Sequence, residues 1–201
     1  SDTEIIFTSE GEDKTVIKLL STVPLRVVDN DTVAEFTLSS NQTADFLLEN
    51  VDKNHSHERD FKAFVTESMF KTVNYWKDWV AQSNYHGRWM ETVNRSALVL
   101  KLLTSYRYGS MVAAPTFSLP ESIGSKRNFD YRFTWIRDAS FTVYALIRLG
   151  YTKEAGAFMN WVEKMCQDIK EQNRLKIMYS ISGEKNLKEQ ILDSLEGYKG
   201  S

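Results

Sequence analysis

Cysteine is nearly absent from this 201-residue chain: the single Cys166 excludes an internal disulfide and a cysteine-built zinc site, and a reducing, cytoplasmic compartment is the expected setting. Histidine is scarce too. His55, His57 and His86 stand in polar connecting stretches without an H-x-x-x-H repeat, so no metal and no other cofactor is expected. Long apolar runs are missing, since "SALVLKLL" at 96–103 is interrupted by Lys101 and falls far short of the roughly 18 apolar residues of a membrane span. There is no basic excess either. A net charge of −2 argues against nucleic acid or an anionic membrane as partner. No G-x-S-x-G elbow occurs, and "IGSKR" at 123–127 lacks the frame of a phosphate-cradling loop. Four N-x-S/T triplets begin at Asn30, Asn41, Asn54 and Asn94; with no sign of secretion they are expected to be unused.

What is present is ample for a core: 42% of residues are hydrophobic and 12% aromatic. Charge divides the chain. Residues 1–50 carry ten acidic against three basic side chains, and 51–201 carry seventeen against twenty-two, which suggests two segments of different build. The first is strand-like. "EIIFTS", "TVIKLL", "LRVV", "VAEFTLS" and "ADFLLENV" are short, β-branched or aromatic, and separated by turn material such as "DND" and "SSNQ". In "VAEFTL", Val33, Glu35 and Thr37 alternate with Ala34, Phe36 and Leu38, as in a strand with one wetter face.

"VDKNHSHERD" at 51–60 reads as a connector ending in a helix start, with Ser56 as the expected cap. Apolar residues then recur at helical spacing over 58–82 and 87–104, with Phe61, Phe64, Val73 and Trp76 in the first stripe and Val93, Ala97 and Leu100 in the second. A long stretch holding Pro115 and Pro120 follows without periodicity, and loops of that length in compact domains usually serve function. Helices are expected again over 139–149, 153–172 and 186–195. Cys166 falls in the second of these and is expected to be buried filler.

"DYRFTWIRDASF" at 130–141 concentrates rings, an arginine and carboxylates. A sugar presents apolar CH faces and rows of hydroxyls, so a site for one needs flat aromatics beside polar groups that donate and accept in pairs. Tyr131, Phe133 and Trp135 supply rings; Arg137 offers a five-donor fork and Asp138 two acceptor oxygens. A plainer reading stays open on residue types alone. Asp138 stands where a helix N-cap belongs, and the rings would then be ordinary core.

The run "SALVLKLLT…VAAPTFSLPESIGSKRNFDYRFTWIRDASFTVYALIRLGY" resembles the corresponding stretch of prokaryotic glucoamylase-like glycoside hydrolases, the group that includes glucodextranases and certain microbial trehalases. The likeness continues through "AFMNWVEKMC", "KIMYSISGEKNL" and "LEGYKGS" and, more loosely, back over 73–98. It implies a β-then-α multidomain fold: a portion of a β-sandwich over 1–51, a linker with its helix over 52–85, and over 86–201 the first part of an (α/α)6 toroid of antiparallel helices. It also implies that Tyr131, Trp135, Arg137 and Asp138 bind substrate, the last two hydrogen-bonding the terminal glucosyl hydroxyls in a ring-lined hollow.

The family resembled consists of inverting enzymes in which one carboxylic acid protonates the leaving oxygen and a second carboxylate activates water. Both catalytic glutamates would lie on helices after the segment resembling "LEGYKGS", and nothing in the likeness makes Glu121, Glu184 or Glu196 either of them. A toroid of twelve helices needs roughly 200 residues at least, more than 60–201 supplies. The chain, which opens Ser-Asp-Thr rather than with methionine, is therefore expected to be an inactive portion of an exo-acting α-glucosidase for maltooligosaccharide, dextran-type glucan or trehalose. Two alternatives are a non-catalytic carbohydrate-binding module and a helical interaction module that self-associates through an open barrel edge.

Overall fold

In a computed structural model of the protein, residues 2–11, 14–51, 60–125, 127–167, 175–192 and 196–201 are described. The chain divides into two compact units, Ser1–Trp76 and Lys77–Ser201. In the first, β1 (Glu4–Thr8), β2 (Val16–Ser21) and β5 (Phe46–Asn50) form an antiparallel sheet in the order β1-β2-β5. The central strand pairs Leu19 with both Ile5 and Leu48. A separate hairpin joins β3 (Arg26–Val28) to β4 (Asp31–Val33), with Val28 opposite Asp31. Its two turn residues, Asp29 and Asn30, both have positive φ, 50° and 70°, the tight mirror-image turn that Asp and Asn tolerate best.

That hairpin corrects the expected strand "VAEFTLS". Only its first residue, Val33, is in a strand, and Phe36 and Leu38 are exposed. The ladder ends where its partner does: Val33 pairs with Arg26, Leu25 gives its N–H to the Asp2 carbonyl, and Pro24 has no N–H to offer.

Helix α1 (Phe61–Val80) is capped by Asp60, whose Oδ1 accepts from the Ala63 N–H at 3.2 Å. The expected cap, Ser56, lies outside the described residues. In the second unit α2 (Met90–Leu102), α3 (Ile136–Arg148) and α4 (Thr152–Gln167) follow. The helix expected at 139–149 thus starts three residues early, and 186–192 carries no helix. Cys166 is exposed on α4, not buried: it sits beside Met165, which takes the buried position.

A tight turn joins α3 to α4. The Tyr151 N–H bonds the Leu146 carbonyl at 2.9 Å and the Gly150 N–H bonds that of Ile147 at 3.0 Å, a Schellman closure that places Gly150 at φ 95°. The two helices pack on each other, and Ala139, Val143 and Leu146 of α3 and Ala155, Phe158, Trp161 and Met165 of α4 are buried.

Candidate sugar-binding site

The long aperiodic stretch is not a free loop. It doubles back on the segment that bears the rings: the Ala113 N–H bonds the Phe133 carbonyl at 3.1 Å, Ala114 bonds Tyr131 at 2.9 Å, and Ser118 bonds Phe129 at 2.7 Å. Further along, β6 (Thr134–Trp135) pairs antiparallel with β7 (Met178–Tyr179), and the Ile136 N–H reaches the Ile177 carbonyl at 3.2 Å. Residues 129–133 are thus held by 113–118, and residues 134–136 by 177–179. Tied down in turn by both stretches, the segment leads directly into the first turn of α3.

The chain bends at Arg132 and Phe133. Around the bend Arg132 closes a bidentate pair with Asp130, Nε to Oδ1 at 2.9 Å and Nη2 to Oδ2 at 2.8 Å, and lies over the Phe117 ring at 4.3 Å. The Arg132 hydrogen bonds hold the Asp130 carboxyl below the ordinary carboxylate range. The bend also folds Tyr131 back toward Trp135, so that rings four residues apart stand with centroids 5.6 Å apart at 59°. In straight strand the same residues would be more than twice as distant. Tyr131 is 37% exposed.

Arg137 and Asp138 occupy the second and third positions of α3. The N-cap is Trp135, with no side-chain cap bond, so Asp138 is not the capping residue that the plainer reading required. Its Oδ2 instead accepts from Arg137 Nη2 at 3.0 Å. The pair is open, not enclosed in a hollow: the Arg137 side chain is 73% exposed and that of Asp138 39%. The pair spends one donor of five on the arginine and one oxygen of two on the aspartate, leaving a mixed donor and acceptor edge at a helix N-terminus that favours a carboxylate.

Sequence reasoning missed a second polar cluster, inside the core. Glu154, 6% exposed, accepts through Oε1 from Lys101 Nζ at 2.7 Å and from Trp79 Nε1 at 2.8 Å. The Trp79 ring stacks on Tyr151 at 4.0 Å, nearly parallel. Burial alone would raise the Glu154 pKa, but the hydrogen bonds from Lys101 and Trp79 outweigh it and hold the carboxyl below its ordinary value. A signal existed: Glu154 falls on the same stripe as Phe158, Trp161 and Met165, and Lys101 one turn after Ala97. A charge on a core stripe demands an opposite charge facing it.

Among known proteins, residues 87–201 match the family described as glycosyl hydrolases family 15. A trehalase of Thermoplasma volcanium is 45% identical over 142 residues, 71% of this chain and 22% of that protein. One from Mycolicibacterium smegmatis is 38% identical over 139 residues, 68% and 21%. Trehalase 1 of Sulfolobus acidocaldarius is 32% identical over 185 residues, reaching 92% of this chain and 31% of its own length. The chain thus spans between a fifth and a third of these relatives, and no solved structure matches it. With a family match over more than half its length, lying across the ring corner and the Arg137–Asp138 edge, the chain belongs to glycosyl hydrolases family 15.

Proposed function

We propose that this chain is the sugar-recognising portion of an inverting, exo-acting α-glucosidase, with trehalose favoured over maltooligosaccharide or dextran-type glucan as substrate. The ring corner beside the arginine–aspartate edge carries this reading. Tyr131 and Trp135 wall the terminal glucosyl ring, and Arg137 and Asp138 hydrogen-bond its hydroxyls. The names of the relatives favour trehalose. Hydrolysis with inversion requires a protonated acid and a base flanking the glycosidic bond. Among the described residues, the carboxyls with a displaced pKa, Glu67, Asp130 and Glu154, all move downward, opposite to the direction a general acid needs. On this reading the 201-residue chain binds sugar without cleaving the bond, the two catalytic glutamates being expected on helices of the family other than α1–α4.

The architecture proposed with it is a β-sandwich portion over 1–51, a linker and helix over 52–85, and the opening helices of an (α/α)6 toroid over 86–201. Helix α3 supports the toroid: it buries Ala139, Val143 and Leu146 on one side yet exposes Phe141, Tyr144 and Ile147 on another. A helix apolar on two sides belongs between two layers.

Titrating the chain with glucose and trehalose while following tryptophan fluorescence tests the proposal. Saturable quenching by both sugars is expected, weakened at least ten-fold in Asp138→Asn through loss of a charged acceptor, with no glucose released from trehalose. Glucose release that Asp138→Asn abolishes would overturn the inactive-portion reading, and an unchanged affinity in that variant would overturn the site.

A further inference from the structure

The ring corner has a third member. Phe129 lies two residues before Tyr131, with its ring centroid 6.4 Å from that of Tyr131 at 38°. Trp135, Tyr131 and Phe129 thus make a run in which Tyr131 is the shared middle ring. Asp130 and Arg132 are engaged with each other, and Thr134 is fully buried in β6 opposite Tyr179.

Phe129 is 44% exposed and is nevertheless held firmly. Its N–H donates to Ser118 Oγ at 2.7 Å, and its carbonyl accepts the Ser118 N–H at 2.7 Å. An apolar ring kept in water by a doubly bonded backbone loses little freedom when something lies on it. What lies on it is set by what its neighbours hold. With a hexose walled by Tyr131 and Trp135, Phe129 is the next ring along the run, its centroid 6.4 Å from that of Tyr131, and, having no polar atom, it offers only a surface for a pyranose CH face.

We propose that Phe129 is a specificity-determining residue that carries the second glucose ring of an α-linked disaccharide, while Tyr131, Trp135, Arg137 and Asp138 hold the first. The inference rests on the site reading given under Proposed function. Its test separates the two. Calorimetric titration of the 201-residue chain with glucose and with trehalose, for wild type, Phe129→Ala and Phe129→Trp, is expected to give tighter binding of trehalose than glucose in wild type. In Phe129→Ala, trehalose affinity falls about ten-fold while glucose affinity stays within two-fold, and Phe129→Trp restores the preference. Unaltered trehalose binding in Phe129→Ala, or equal weakening for both sugars, would overturn the role of Phe129 and leave the first site standing. Absence of glucose and trehalose binding in wild type would overturn both. Far-ultraviolet dichroism and thermal midpoints of the variants guard against misfolding, and Phe129→Trp, which keeps an aromatic ring, supplies the comparison if Phe129→Ala does not fold.

Discussion

Glu154 shows how much one misplaced-looking side chain can decide. Its carboxylate ties Lys101 of α2 to Trp79 at the end of α1 from within the first turn of α4. Removing one partner of a buried pair leaves the other charge without compensation, at a cost of about 3 kcal/mol or more; Glu154→Ala is expected to lose that much in denaturant unfolding. The pH dependence follows from the sign of the shift. With the folded pKa lowered, the stabilisation is complete above the unfolded value of about 4.3 and fades as pH falls through the folded one. The gap between wild type and Glu154→Gln therefore narrows on acidification below about pH 4.3; a gap constant with pH would show that the charge contributes nothing. At this scale the sequence carried the site's residue types in plain view. It could not carry the partner of Asp138, because both N-capping and an Arg137 contact suit an aspartate at that point, and only the start of α3 at Ile136 separates them.

Among elements, glycine-containing turns fix how the helices and the doubled-back stretch meet. Gly150 closes α3 at φ 95° and a β-carbon there would stand 3.3 Å from the Gln82 carbonyl oxygen. Gly109, at φ 79°, is tighter still, since its β-carbon would lie 2.5 Å from the Ala157 carbonyl oxygen of α4. Gly150→Ala is expected to cost about 1–2 kcal/mol from the left-handed backbone alone. Gly109→Ala should cost clearly more, because α4 backbone must shift as well; thermal midpoints of the two variants, ordered the other way, would contradict that. The long helices were legible because apolar residues at 3.6-residue spacing leave a strong trace. The edges were not. α3 begins in "IRD" rather than after it because β6 and β7 pin Trp135 and Ile136, a contact with a segment forty residues away that no local pattern encodes. The strand expected over 33–39 failed for a related reason: alternation supplies a willing strand, but a ladder needs a partner of equal length.

For the whole molecule, the two sides of α3 have a measurable consequence. Exposed Phe141 and Tyr144 make the purified chain prone to concentration-dependent association, which light scattering should register, and Phe141→Lys with Tyr144→Lys should return it toward monomer. A clean monomer at high concentration would count against a helix built to lie between layers. The order of strands and then helices could be read from composition and period alone, whereas the pairing of β6 with β7 could not, since it joins stretches far apart in the chain. That arrangement also dictates timing during synthesis. A ribosome that has made residues as far as Arg148 has produced every proposed sugar contact, yet Thr134 and Trp135 still lack their strand partner until Met178 and Tyr179 emerge. The proposed recognition segment thus gains its β7 partner late, and a nascent chain halted between those points would carry Trp135 without the pairing that anchors it.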